Sequence, residues 1–166
     1  MNLSKLVPDD KPLFINLISD VFPMQKNAKA VVMACNTASA NTYEELKDLL
    51  ANNYNLKAEN LICTNGADEA INLIISTYID KNDEIISAVP TFSMSKIYSS
   101  LQQGKYKEIL YDKGFEYPYE KVEKAISKKT KMVIFTTPNN PTGDIIEKDF
   151  IEKIASKYPN TAIMID

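Results

Sequence analysis

The stretch KMVIFTTPNNPTG, residues 131–143, decides the fold. Its first part, Met132–Phe135, is an unbroken apolar run, which is typical of a strand buried on both faces of a parallel sheet. The following Pro138–Gly143 contains two prolines and a glycine, which predict a fixed turn directly after the strand. Ligands of open parallel sheets bind at the carboxyl ends of the strands. The stretch therefore predicts a central strand followed by a loop that is placed to bind a ligand.

Strand-like and helix-like segments alternate on both sides of this stretch. The predicted strands are residues 61–64, 84–88, 106–111, 131–136 and 162–165, and the predicted helices are residues 67–79, 92–102, 118–128 and 147–158. This alternation predicts parallel strands joined by right-handed crossovers. The expected fold class is α/β, a three-layer α/β/α sandwich with a mainly parallel sheet.

The N-terminal part follows a different pattern. Residues 11–22 are predicted to form an amphipathic helix and residues 29–34 a strand. Residues 42–51 are predicted to form another helix, which begins with a capping box of Thr42 and Glu45. We expect two units, an N-terminal segment of residues 1–40 and a partial α/β domain of residues 41–166.

Composition excludes several classes of function. The net charge is −3 and no basic stripe is present, so we expect no nucleic-acid partner. No apolar run approaches membrane-spanning length and no signal pattern opens the chain, which favours a cytoplasmic protein without a membrane partner. Histidine is absent and all 19 basic residues are lysines. A histidine triad, a histidine zinc site and an arginine clamp are therefore excluded, and we predict no metal site.

Polar or aromatic residues follow several strands, and each has an ordinary interpretation beside a functional one. Gly66 opens a helix whose free N–H groups can bind an anion, or it simply makes a turn. Phe92 either stacks under the aromatic ring of a cofactor or is an ordinary residue of the hydrophobic core. Asn140 is an amide donor or part of a plain turn. Asp166 is a partner for a protonated ring nitrogen or a strand-end carboxylate. Their shared sheet edge favours the functional interpretation.

Three strings resemble pyridoxal 5′-phosphate (PLP) enzymes of fold type I, most closely the histidinol-phosphate aminotransferase branch. They are NGADEAI (65–71), PTFSM (90–94) and TPNNPTG (137–143), and the resemblance covers about residues 41–166. It implies PLP as cofactor, an amino acid or amino-alcohol phosphate such as histidinol phosphate as substrate, and a homodimer. By motif it implies that Gly66 shapes the phosphate turn, Ala67 and Asp68 hold the phosphate, Phe92 stacks on the ring, Asn140 bonds the ring hydroxyl oxygen, and Asp166 bonds the ring nitrogen.

Some functional residues of that family lie downstream of the position that matches Asp166. They include the lysine that binds the cofactor covalently and an arginine that holds the substrate carboxylate, so we expect an inactive fragment. Strands from that downstream part also separate strand 61–64 from the later ones in the family. We therefore expect strand 61–64 to lack neighbours, leaving an unpaired edge that favours aggregation.

A second resemblance lies in the N-terminal segment. The string ACNTASA, residues 34–40, resembles the motif of glutamate and aspartate racemases, in which Cys35 would remove the substrate α-proton. Cys63 lies in Ile-Cys-Thr-Asn and does not match the second racemase cysteine. A junction is expected near Ala40. Three hypotheses remain: an aminotransferase fragment, a racemase fragment that uses Cys35, and a non-catalytic module that binds a phosphorylated ligand or PLP.

Overall fold

The computed structural model describes residues 14–17, 30–34, 47–48, 51–52 and 56–166, with residues 14–17 and 30–34 described by their backbone. The strands are β1 (Phe14–Leu17), β2 (Ala30–Ala34), β3 (Leu61–Thr64), β4 (Glu84–Val89), β5 (Lys105–Leu110), β6 (Thr130–Phe135) and β7 (Ala162–Ile165). The helices from residue 61 onward are α1 (Gly66–Tyr78), α2 (Met94–Leu101), α3 (Tyr119–Ala125) and α4 (Lys148–Lys157). Every element predicted from residue 61 onward is present, with ends shifted by a few residues at most.

The strands form one seven-stranded sheet in the order β3-β2-β1-β7-β6-β4-β5. Each neighbouring pair is parallel. Parallel strands require crossover connections, and the helices α1 to α4 supply four of them, between β3 and β4, β4 and β5, β5 and β6, and β6 and β7. The predicted α/β class with a mainly parallel sheet is confirmed.

Helices cover the later strands on both faces of the sheet. On one face, Met132 and Ile134 of β6 pack with the apolar side of α1, which contributes Ala70, Ile71, Ile74 and Ile75. On the other face, Val133 and Phe135 pack against residues of α3 and α4, namely Val122, Phe150, Ile151, Ile154 and Ala155. Because β6 is buried on both sides, its apolar run is continuous, as the sequence predicted.

The predicted helix at residues 11–22 is wrong. Phe14–Leu17 is a strand, β1, which pairs with β2 on one side and with β7 on the other. A short apolar run fits helical and strand periodicity alike, so the local pattern does not decide between them. Here β2, the next strand along the chain, and β7, at the other end of the chain, pair with the backbone of β1, and this tertiary pairing favours the strand.

The expectation that strand 61–64 lacks neighbours is also wrong. β2 pairs with β3 through Val31–Leu61, Val32–Ile62 and two further residue pairs. β1 and β2 together fill the space between β3 and β7, so the sheet continues across the predicted gap.

Of the predicted helix at 42–51, residues 47–48 and 51 are helical, and the others lie outside the described residues. Among the helices that the structure describes, none has the length and apolarity to cross a membrane.

Candidate active site

A cavity of about 300 Å³ opens at the carboxyl ends of the strands. Its walls come from the segments after β4, β6 and β7, which the parallel sheet brings to one edge. The lining residues are Phe92, Thr136, Thr137, Pro138, Asn140 and Asp166. Three of the predicted site residues, Phe92, Asn140 and Asp166, therefore lie around one cavity.

Backbone hydrogen bonds fix the floor of this cavity. The N–H of Thr137 donates to the carbonyl of Asp166 at 2.8 Å, and the N–H of Asp166 donates to the carbonyl of Phe135 at 2.9 Å. The buried Thr137 hydroxyl accepts a hydrogen bond from the N–H of Ile146 at 2.9 Å. The β6 and β7 ladder thus continues past the strand ends and holds Asp166 beside the loop that carries Asn140.

Phe92 and Asn140 present accessible groups to the cavity. Phe92 is 40% exposed. Asn140 is exposed, and among the described residues its amide has no hydrogen-bond partner. The loop of Asn140 closes through the N–H of Gly143, which donates to the carbonyl of Asn139 at 2.7 Å, with Gly143 at a φ of +73° that suits glycine. A flat apolar surface and a free amide thus face the same space.

Asp166 is partly buried, and among the residues that the structure describes its carboxylate has neither a hydrogen-bond donor nor a cation. Burial raises the pKa of Asp166 above its usual value of 3.8. A carboxylate in this state gains from any ligand that brings an N–H donor or a positive charge to it. The cavity therefore fits a planar ring that carries an oxygen acceptor on one side and a protonated nitrogen on another.

The predicted phosphate-binding residues lie apart from this cavity. Gly66, at a φ of +85°, begins α1 shortly after β3. The side chain of the N-cap residue Asn65 makes no capping hydrogen bond, whereas the Asn65 N–H donates to the Glu69 carboxylate of the first turn. The Asp68 carboxylate instead accepts a hydrogen bond from the Tyr98 hydroxyl at 2.9 Å. Three strand spacings, about 14 Å, separate β3 from β7. Gly66, Ala67 and Asp68 thus share the sheet edge of the cavity without lining it.

The sequence interpretation did not predict that the adjacent residues Asn139 and Asn140 differ in burial. Asn139 is 3% exposed, whereas Asn140 is exposed and lines the cavity. Both follow the same strand and have the same chemistry, so no local signal separates them. Cys35, the candidate of the racemase hypothesis, lies outside the described residues, as does the junction predicted near Ala40.

Replacing Asp166 by asparagine is expected to raise the melting temperature near pH 7. The raised pKa means that the ionised carboxylate is less favourable in the folded chain than in the unfolded chain. This penalty is present above the folded pKa and disappears as the pH falls below the unfolded pKa, so the gain from Asp166→Asn shrinks toward about pH 4. Thermal unfolding near pH 7 and at about pH 4 measures the difference in melting temperature between the variant and the unmodified chain. Asp80→Asn, at an exposed aspartate, is the control. A lower melting temperature for Asp166→Asn near pH 7 would contradict the assignment.

Comparison with known proteins identifies the family. The model of the aminotransferase class I and II family matches residues 23–166. The chain therefore belongs to this family. A probable aspartate aminotransferase of Methanocaldococcus jannaschii is 40% identical over 114 residues, which are 68% of this chain and 30% of that protein. A histidinol-phosphate aminotransferase of Dehalococcoides mccartyi is 35% identical over 113 residues, 68% of this chain and 32% of that protein. The chain spans about a third of the length of these relatives.

Solved structures show the same fold. A Thermus thermophilus aspartate aminotransferase double mutant superposes with a TM-score of 0.68 at 25% identity, covering 74% of this chain and 35% of that one. The histidinol-phosphate aminotransferase of Sinorhizobium meliloti, solved in complex with PLP, has a TM-score of 0.68 at 16% identity. The match covers 78% of this chain and 36% of that one. The family match and this complex indicate PLP as the cofactor that accompanies the fold. The family match begins at residue 23, upstream of the predicted boundary at residue 40; that boundary and the racemase resemblance stay predictions.

Proposed function

We propose that this chain forms the ring-binding part of the PLP site of an aminotransferase. One observation carries the proposal: an exposed aromatic face, an exposed carboxamide and a partly buried carboxylate without a partner among the described residues surround a single cavity. They belong to Phe92, Asn140 and Asp166. Each of these side chains alone has an ordinary structural explanation, and it is their meeting around one cavity that supports a ligand site.

Each side chain would have a separate task toward the ring. Phe92 would offer its face to the aromatic ring, an arrangement that is favourable when the rings are offset. The Asn140 amide would donate to the ring hydroxyl oxygen. The Asp166 carboxylate would hold a proton on the ring nitrogen, since a partly buried carboxylate without a partner is stabilised by an adjacent positive charge. Bound PLP supplies an electron sink that makes the α-proton of an attached amino acid acidic.

The first turn of α1 would hold the phosphate. Its uncapped N–H groups, at Gly66, Ala67 and Asp68, form the positive end of the helix dipole. The Asp68 carboxylate repels an anion, but its hydrogen bond with the Tyr98 hydroxyl occupies one of its oxygens. The backbone, and not the Asp68 side chain, would therefore contact the phosphate.

We propose an amino acid or an amino-alcohol phosphate such as histidinol phosphate as the substrate, which the names of the two relatives support. Because the chain has no arginine, recognition of an anionic substrate group by its own residues would fall to lysines or backbone N–H groups. Among the described residues that line the cavity none is a lysine. We therefore propose that these residues bind the cofactor without completing transamination by themselves. The family match favours this function over the racemase hypothesis.

Pyridoxamine 5′-phosphate tests the proposal without interference from the many surface lysines, because it has no aldehyde to react with them. We expect measurable binding by calorimetry. Asn140→Ala should weaken it about 2- to 10-fold through loss of one hydrogen bond, and Asp166→Asn about 10- to 100-fold through loss of a charged partner.

The matched control is Asn160→Ala, an exposed asparagine outside this cavity. It should bind pyridoxamine 5′-phosphate like the unmodified chain. Equal affinity in the unmodified chain, Asn140→Ala and Asp166→Asn would contradict the proposed site. The combination of stronger folding and weaker binding in Asp166→Asn is the signature of a ligand-binding carboxylate, which a purely structural residue would not produce.

A further inference from the structure

The buried Asn139 connects two loops that carry site residues. Its Nδ2 atom donates to the carbonyl of Pro90 at 2.9 Å and to the Thr142 hydroxyl at 2.8 Å. Pro90 belongs to the segment after β4, whereas Asn139 and Thr142 belong to the loop after β6. Both amide hydrogens of Asn139 are therefore used, one within its own loop and one across to the neighbouring loop.

Further hydrogen bonds hold Asn139 itself in place. Its N–H donates to the carbonyl of Asp144 at 2.8 Å, and its carbonyl accepts from the N–H of Gly143 at 2.7 Å. The side chain is 3% exposed, so water does not compete for its amide hydrogens. An asparagine with a fixed backbone and both donors engaged has one orientation, which makes it a rigid link.

We propose that Asn139 is a positioning residue that sets Phe92 against Asn140 and Asp166. Pro90 lies two residues before Phe92, so the carbonyl that Asn139 holds fixes the start of the segment that presents the aromatic ring. Asn140 follows Asn139 directly in the chain. One buried amide thus determines the relative placement of the platform and the oxygen-binding group. This inference deepens the proposed function and rests on it for the identity of the ligand.

The chain contains no tryptophan, so Phe92→Trp introduces a unique fluorescent reporter at the platform. In this background we expect Asn139→Leu, which keeps the side-chain shape without the donors, to increase quenching of the reporter by acrylamide about twofold or more in the ligand-free folded chain. Asn139→Asp serves as the second variant if the leucine variant does not fold. Thr142→Val is the matched control, because it removes the acceptor within the loop and leaves the bond to Pro90.

Binding of pyridoxamine 5′-phosphate supplies the second readout. Asn139→Leu should weaken binding about 10-fold when Phe92 is present and less than about 2-fold in a Phe92→Ala chain, because the effects of residues that act through a shared partner are not additive. Equal losses in both backgrounds, unchanged quenching of the tryptophan reporter in Asn139→Leu, or equal quenching changes in Thr142→Val would each overturn the positioning role. If no variant and no unmodified chain binds the probe, the proposed function fails, while the quenching comparison still decides the role of Asn139.

Discussion

Replacement of Phe135 by alanine lowers the free energy of unfolding by about 3–5 kcal/mol. The Phe135 side chain is fully buried at the end of β6. Its ring lies 6.3 Å from that of Tyr117 and 6.1 Å from that of Phe150, centroid to centroid. Alanine would leave a cavity beneath the site that these two rings cannot fill without rearranging. A domain of this size is stable by about 5–15 kcal/mol, so the loss is a large fraction of the total.

Urea unfolding followed by circular dichroism measures this change. Phe115→Ala is the control, since the Phe115 side chain is 60% exposed and its truncation should cost less than about 1 kcal/mol. The Phe135 carbonyl accepts a hydrogen bond from the N–H of Asp166. A shift of the backbone at Phe135 should therefore also displace Asp166, which lines the cavity. A loss below about 1 kcal/mol for Phe135→Ala would show that the core between β6 and α4 does not depend on this ring.

Sequence alone predicts those elements whose burial pattern is local. The apolar positions Ala70, Ile71, Ile74 and Ile75 recur with helical spacing, and all four are buried in α1. The apolar run of β6 likewise needs no knowledge of its neighbours. Because parallel strands align their carboxyl ends, the meeting of Phe92, Asn140 and Asp166 also follows from the order of elements.

Other features depend on partners that are distant in sequence. The strand character of Phe14–Leu17 comes from pairing with β2 and with β7, and β7 lies at the other end of the chain. The different burial of Asn139 and Asn140 depends on the carbonyl of Pro90, which approaches from another loop. Neither the pairing of β1 with β7 nor the hydrogen bond to Pro90 produces a recognisable local sequence pattern, so periodicity and motif spacing do not predict them.

Replacement of Val32 by proline is expected to separate β3 from the rest of the sheet. Val32 lies in β2 between two parallel neighbours, opposite Leu17 of β1 and Ile62 of β3. Proline has no N–H and does not fit an interior strand. The lost hydrogen bond and the carbonyl left without a donor should cost about 2–4 kcal/mol. Hydrogen exchange at the β3 amides, residues 61–64, should then become roughly 30- to 700-fold faster.

Two internal comparisons make the experiment specific. Val32→Ile retains the backbone N–H, the β-branching and an apolar side chain, so its effect on exchange in β3 should be much smaller than that of Val32→Pro. The amides of β5, at the opposite edge of the sheet, should keep most of their protection in Val32→Pro. Unchanged exchange in β3 of Val32→Pro would mean that β2 does not join β3 to the sheet.

The same variant separates the two halves of the proposed ligand site. β3 carries the first turn of α1, whereas Phe92, Asn140 and Asp166 follow β4, β6 and β7. Loosening β2 should therefore weaken binding of pyridoxamine 5′-phosphate through its phosphate, while pyridoxamine without phosphate should lose little of its weaker affinity. Such a result would assign the N-terminal strands a role in ligand binding through the position of α1, because they set the distance between the phosphate turn and the ring cavity.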